Sequence, residues 1–335
     1  MSKKILICFG TRPEYIKVKS LIERIPIATK HKILTLFTGQ HMDLIKMDNF
    51  DYKLNIDTIT NNRLNDIIIA ILKIDNLFDK VDYILVQGDT TSALAIAISA
   101  YNHNKKVIHL EAGLRTNNKY NPYPEELNRQ LISRIAEIHL CPTKLNKTNL
   151  KSENIHRNIY VTGNTGLDGI SKKNTNYGNK VLITIHRRDN HPIIKEWFIN
   201  LSNIAKKYTD LEFIIPIHPN PNVKKYSYLL ENIKVIDPLS HNELLDLIKQ
   251  SRFVISDSGG IQEECSYLNK KIIICRKTTE RPEILGKHGV LCNNPEKLNS
   301  IVDKVYNDYN INELCPFGDG YAWCKIVKIL NRVLI

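Results

Sequence analysis

The stretch VISDSGGIQEE, Val254 to Glu264, passes in eleven residues from an apolar run to a Ser-Gly-Gly turn and then to two carboxylates. The apolar run reads as a strand and IQEECSYL, which follows, as a helix. Paired glycines between them let the backbone approach a ligand, and the free N–H groups at a helix start favour an anion. The turn matches neither the P-loop nor G-x-G-x-x-G. Glu263 and Glu264 have a plain reading, as first-turn carboxylates that offset the helix dipole. Glu264 has a second one, since a carboxylate there could hold the vicinal hydroxyls of a ribose. A diphosphate on the N–H groups and a ribose on Glu264 would together describe a nucleotide.

The same alternation runs along the chain. KILICF, YILV, KVIHL, KVLITI, EFIIPI, RFVIS and KIIIC are separated by helical patterns. Several are apolar at every position, which is how strands covered on both faces of a parallel sheet read. Doubly wound α/β layers follow. At 335 residues the chain is long enough for about two domains. A polar, turn-rich segment without periodicity, Lys172 to Lys180, marks a break between two similar halves. The Gly-rich FGDG leads into a last amphipathic helix.

Ligands of open α/β sheets lie beyond the carboxyl ends of the strands. Seven strand ends carry charged, imidazole or glycine-rich loops, and in parallel sheets these share one edge. After the first strand, Arg12 stands at a helix entrance and Lys17 one turn along; both also read as a solvated basic face. Asp89 could cap the helix beginning near Thr91, and Glu125 could be a first-turn residue. Glu111 follows VIHL directly and precedes Ala-Gly, where a solvated charge is not expected. His186 sits at a strand tip before two arginines, and Arg281 lies in a loop after IIIC. His109 and Glu111 would share a strand face, yet no second pair completes a metal set, so no metal is expected.

Apolar content of 42% suits globular cores, and a net charge of +12 suits an anionic partner or a merely lysine-rich surface. No dense basic block with interleaved aromatics points to nucleic acid. Seven scattered cysteines without C-x-x-C read as reduced thiols of a cytoplasmic protein. The apolar run after Lys3-Lys4 is too short for a signal peptide, and no run of about 20 apolar residues spans a membrane.

FGTRPEYIK, TGQH, GDTTSALA, HLEAGLRT, PYPEELNR, VTGNTGLD, HRRDN, HPNP, SDSGGIQEE, TTERPE and FGDG occur in this order. In this combination the chain resembles the non-hydrolysing UDP-N-acetylglucosamine 2-epimerases, from about Lys4 to about Leu330. The resemblance implies an α/β GT-B fold, two Rossmann-like domains whose parallel sheets face an interdomain cleft. The expected division is 1–165 with the catalytic acids, 166–315 with the UDP site, and a helix over 316–335 crossing back to the first domain. It implies a homodimer that interconverts UDP-GlcNAc and UDP-ManNAc without cofactor or metal. Asp89, Glu111, Glu125 and His186 match the residues that carry the chemistry. Arg12, Lys17, Ser258, Gly259, Gly260, Glu264 and Arg281 match the substrate and UDP contacts. Gln40, His41, Arg187 and His218, with Glu125, match a second, regulatory site. Asp43 and Ala70 depart from the pattern of that site, Gln87 stands where the family usually has His, and Asp189 where it has Glu. Relatives epimerise UDP-activated 6-deoxy-L-hexosamines, a hydrolysing branch releases ManNAc and UDP, and glycosyltransferases or nucleotide-sugar-binding regulators share the scaffold.

Overall fold

The computed structural model describes residues 2–334 apart from 41–49, 55, 58 and 75. It divides into two compact units: residues 1–169 with 318–335, and residues 170–317. Each contains its own sheet and core. Among the described residues no helix is long and apolar enough to cross a membrane.

In the first unit, strands β1 (Lys4–Phe9), β2 (Lys32–Phe37), β3 (Tyr52–Lys53), β4 (Tyr83–Gln87), β5 (Lys106–Leu110), β6 (Ile138–Cys141) and β7 (Ile159–Val161) form one sheet in the order β3-β2-β1-β4-β5-β6-β7. Every pairing is parallel. Helices α1 (Arg12–Ala28), α2 (Arg63–Leu72), α3 (Thr91–Asn102), α4 (Glu125–Ile135) and α5 (Lys144–Ser152) connect them. The order reverses between β1 and β4, so the crevice of this topology opens where Gly10-Thr11-Arg12 and Gly88-Asp89-Thr90 leave the sheet.

In the second unit, β8 (Lys180–Thr184), β9 (Glu212–Pro216), β10 (Lys234–Ile236), β11 (Ser251–Ser256), β12 (Lys271–Ile274) and β13 (Gly289–Leu291) lie in the order β10-β9-β8-β11-β12-β13, again all parallel. Helices α6 (Ile194–Lys207), α7 (Pro221–Lys224), α8 (His241–Gln250), α9 (Gly259–Tyr267) and α10 (Leu298–Asn307) complete it. Its reversal falls between β8 and β11, beside His186 and beside Ser258-Gly259-Gly260.

The seven expected runs are the strands β1, β4, β5, β8, β9, β11 and β12. The sheets gain β2 next to β1, and short strands at or near their edges: β3, β6, β7, β10 and β13. Short edge strands have little buried length to show as a pattern. Residues 5–9 of β1 and all of β4 are at most 4% exposed, as apolar runs between two helical layers require.

Helix ends are set locally. Thr11 and Glu14 form a capping box at α1, and Thr90 caps α3 through Ala93 N–H (3.0 Å). Asp89 is therefore not the cap, because Thr90 takes that position. Asn104, Asn154 and Asn269 close α3, α5 and α9 in left-handed conformations with φ of 55°, 61° and 54°. The following N–H reaches back to the helix in each case, Lys105 to Ala100 O (2.9 Å), Ile155 to Leu150 O (3.0 Å) and Lys270 to Cys265 O (2.8 Å). These are Schellman ends with Asn in place of Gly. The last helix, α11 (Ala322–Val333), belongs to the first unit and buries Ile326, Val327 and Leu330 in the core that includes Val18, Leu21 and Ile25. Asp168 accepts from Ala322 N–H (2.7 Å), Trp323 N–H (3.0 Å) and Ser20 Oγ (2.9 Å), fixing its start.

Candidate active site

In the first unit the polar groups gather at the carboxyl edge. Glu111 leaves β5 with φ of 67°, a left-handed conformation rare outside glycine and asparagine. This breaks strand alternation, so Glu111 does not share a face with His109. Its two oxygens accept from Lys17 Nζ and Gln87 Nε2, which come from α1 and the end of β4. Both contacts orient the carboxylate, and the backbone strain is of the kind stored at functional sites. Gly88, with φ of 68°, lies against it: a Cβ there would stand 3.5 Å from Glu111 Oε2. His109 is fully buried, its ring bonded to Gly88 O at 2.8 Å, and burial drives its pKa down to about 3. A neutral His109 thus props the turn that carries Asp89.

Asp89 pairs with Arg129, while Asn128 Nδ2 donates to Asp89 O at 2.9 Å. Arg129 also faces Glu126 at 3.2 Å. The N-terminal half of α4, which begins with half-buried Glu125, therefore adjoins the Asp89 turn. Arg12 is half-buried at the start of α1, with no hydrogen-bond or ion-pair partner among the described residues. A cation so placed, at a helix N-terminus and a topological switch point, suits an anion. Gln40 Oε1 accepts from Ser92 Oγ at 2.7 Å. His41 and Asp43 lie outside the described residues.

In the second unit, Asp257 organises the strand tips. Fully buried, its Oδ2 accepts from His186 N–H (2.9 Å), Arg187 N–H (2.8 Å) and Asn190 Nδ2 (2.9 Å). His186 Nδ1 stands 3.8 Å from Asp257 Oδ1. The His186 ring, about one-third exposed, stacks on His218 with centroids 4.8 Å apart and planes 10° from parallel. Burial first, and the neighbouring His186 second, lower the pKa of His218. His218 Nδ1 accepts from Asn220 N–H at 3.1 Å.

Helix α9 begins at Gly259, two residues before the expected start, with Ser258 as its N-cap residue. Glu263 and Glu264 consequently fall in the second turn and do not serve as first-turn carboxylates. Glu263 accepts from Arg281 Nε at 2.5 Å, and Arg281 Nη1 donates to Glu280 at 2.6 Å. Arg276 meets Glu280 at 2.7 Å, so two arginines and two carboxylates balance one another out of solvent. Arg281 stands against α9: a Cβ on Gly259 would meet its Nη1 at 2.8 Å. At Gly260 a Cβ would meet nothing within 4 Å. Glu264 is hydrogen-bonded to His241 Nε2, at the start of α8, at 2.7 Å.

Sequence reasoning missed three organising carboxylates. Asp257 was legible only as part of a strand-tip string, and Glu280 only as a neighbour of Arg281. Glu14, buried beside the first-unit switch point, was likewise legible only as the end of the strand-tip string that starts at Gly10. Among the described residues no cluster of His, Cys, Asp and Glu could hold a metal ion.

The family model described as UDP-N-acetylglucosamine 2-epimerase matches residues 17–331. The Campylobacter jejuni UDP-N-acetylglucosamine 2-epimerase is 37% identical, over 99% of this chain and 98% of its own. A crystal structure of UDP-GlcNAc 2-epimerase from Neisseria meningitidis bound to UDP-GlcNAc is 33% identical and has a TM-score of 0.87, with 98% of this chain and all of that one covered. Acinetobacter baumannii MurG, at 11% identity and a TM-score of 0.64 over 99% of this chain and all of its own, shares the fold alone, the GT-B class of paired Rossmann-like units. With its paired parallel sheets, its polar strand tips and relatives matched over nearly their full length, this chain belongs to the UDP-N-acetylglucosamine 2-epimerase family.

Proposed function

We propose that this protein is a cytoplasmic, non-hydrolysing epimerase that interconverts UDP-GlcNAc and UDP-ManNAc at C2. The observation that carries the reading is Glu111, a strand-tip residue with a left-handed backbone whose carboxylate is oriented by Lys17 and Gln87. Asp89 on the neighbouring strand tip supplies a second acid/base group.

The hydrogen on C2 of the sugar is not acidic, because no carbonyl lies beside it. If the C1–O bond breaks first, its electron pair leaves with the UDP oxygen and C1 gains oxocarbenium character. A carboxylate then takes the C2 proton and a glycal forms. Return of a proton to the opposite face of C2, with UDP re-added at C1, gives the epimer. Asp89, Glu111 and Glu125 are the candidates for these transfers, each worth about 10²–10⁴-fold. Arg12, His186 and Arg281 are the cationic candidates for stabilising the departing anion, while Lys17 holds Glu111. The open N-terminus of α9 at Ser258-Gly259-Gly260 takes the diphosphate, and Glu264 the ribose. Gln40, His41, Arg187 and His218 match a second nucleotide-sugar site of the family, but Asp43 and Ala70 depart from its pattern, so no activation through it is proposed. Exposed Leu127 and Leu131 on α4, and Ile98 and Tyr101 on neighbouring α3, support a homodimer. All seven cysteines are free, which supports a reducing, cytoplasmic setting.

The test is incubation with UDP-GlcNAc in D₂O, followed by NMR at C2. Deuterium at C2 with UDP-ManNAc formed is the expected result. Free ManNAc would indicate the hydrolysing reaction, and exchange only in a 6-deoxy-L-hexosamine analogue would redirect the substrate. Asp89→Asn should lower exchange by about 10²–10⁴-fold while UDP binding stays within a few-fold. A parallel collapse of UDP affinity would make Asp89 a structural residue.

A further inference from the structure

Glu14 is a carboxylate that the proposed reaction does not use, yet it lies at the centre of the first-unit switch point. It is 2% exposed, and burial pushes its pKa up against four hydrogen-bonding contributions that lower it. Its Oε2 accepts from Gly10 N–H (3.0 Å) and Thr11 N–H (2.7 Å), and its Oε1 from Thr90 Oγ1 (2.7 Å). A capping box for α1 needs only the bond to the Thr11 N–H. The bond to Thr90 reaches a different loop, the one that follows Asp89. A buried carboxylate is costly unless donors surround it, so both loops must be in place for Glu14 to sit there.

The same loops meet again nearby. A Cβ on Gly10 would stand 2.3 Å from Thr38 Oγ1 and 2.8 Å from Ser92 Oγ, so glycine allows the β1 loop to close on α3. Thr38 Oγ1 donates to Ser92 Oγ at 2.9 Å, and Ser92 Oγ to Gln40 at 2.7 Å. Loops after β1, β2 and β4 are therefore joined through side chains, with Glu14 joining the first to the third.

We infer that Glu14 is a positioning residue, a strut between the Arg12 turn and the Asp89 turn that sets where the cation and the acid/base group stand relative to one another. The inference rests on the reading of Asp89 given above. The alternative is a cap that merely stabilises α1. Small errors of placement cost rate more than affinity, since geometry matters most at the reacting atoms.

Glu14→Gln keeps the shape but exchanges one acceptor oxygen for an amide donor that faces other donors. It should lower kcat for UDP-GlcNAc by about 10–100-fold, with KM and the Kd of UDP within about threefold. Thr90→Gly cuts the bond to Glu14 while glycine remains an acceptable N-cap residue; it should lower kcat in the same way. Thr90→Ser, which keeps the hydroxyl, should recover the rate. If Glu14→Gln fails to fold by circular dichroism, Thr90→Gly decides. Folded variants with kcat within about twofold of the parent, or with kcat and UDP affinity falling together, would overturn the strut. Absence of C2 exchange in the parent protein would overturn both this inference and the epimerase reading, whereas loss of the kcat effect alone removes only the strut.

Discussion

A histidine and a glutamate two positions apart show how differently nearby side chains are used. His109 sits inside β5 with its ring on Gly88 O, neutral because burial lowers its pKa to about 3. In the unfolded chain a histidine titrates near 6.5. The unfolded state therefore binds the proton first, and stability is lost as pH falls below about 6.5, by up to about 1.4 kcal/mol per pH unit until about pH 3. His109→Gln, whose amide N stands near the position of the ring Nε2 and retains a donor for Gly88 O, should flatten the acid limb between pH 6 and 4 in denaturant titrations. An unchanged slope would mean that other groups dominate it. Glu111 was legible as unusual from HLEAG, because a charge after a buried strand and before Ala-Gly has no ordinary reason to be there. Its left-handed backbone and its hold on Gln87 were not legible, since they depend on β4 and β5 lying side by side. Glu14 was invisible as an organiser for the same reason: its third hydrogen bond comes from residue 90.

Helix α9 illustrates what a glycine means in an element. Gly259 is confined by Arg281, so its small size has a local cause. Gly260 has no such cause, since a Cβ there would enter open space. Alanine is favoured over glycine in a helix by about 1 kcal/mol. Gly260→Ala should therefore raise the unfolding free energy slightly, by up to about 1 kcal/mol, while weakening UDP binding by about 10-fold or more, as calorimetry would read. Unchanged UDP affinity would remove the diphosphate from this helix end. The central strands were readable because burial on both faces leaves an unbroken apolar run. The edge strands β3, β7, β10 and β13 were not, because two or three residues carry no periodic signal. The helix ends at Asn104, Asn154 and Asn269 carry no distinct signal in the sequence, because asparagine serves many other purposes.

At the scale of the molecule, each unit closes its own core, and the first is completed by α11 from the far end of the chain. Ile98 and Tyr101 on α3 and Leu127 and Leu131 on α4 are 39%, 66%, 42% and 43% exposed, a substantial apolar content for a surface otherwise rich in charge. If they form the homodimer contact, light scattering should give twice the chain mass, and Leu127→Glu with Leu131→Glu should give a folded monomer. A parent protein that is monomeric at micromolar concentration would remove the interface.

The chain's order of apolar runs, and the charged loops that end them, determined by themselves two α/β halves and the edge on which each carries its polar residues. That follows from local physics: strand burial writes itself as unbroken hydrophobicity, and loops at the carboxyl edge stand next to it in sequence. Only the folded arrangement decided which partner each charge meets. Arg281 is held by Glu263 and Glu280, Asp257 by the His186 turn, and Glu14 by Thr90, while Arg12 keeps no such partner among the described residues. Those pairings join positions up to 76 residues apart, and a charge's partner is set by distance in space, which spacing along a chain does not encode.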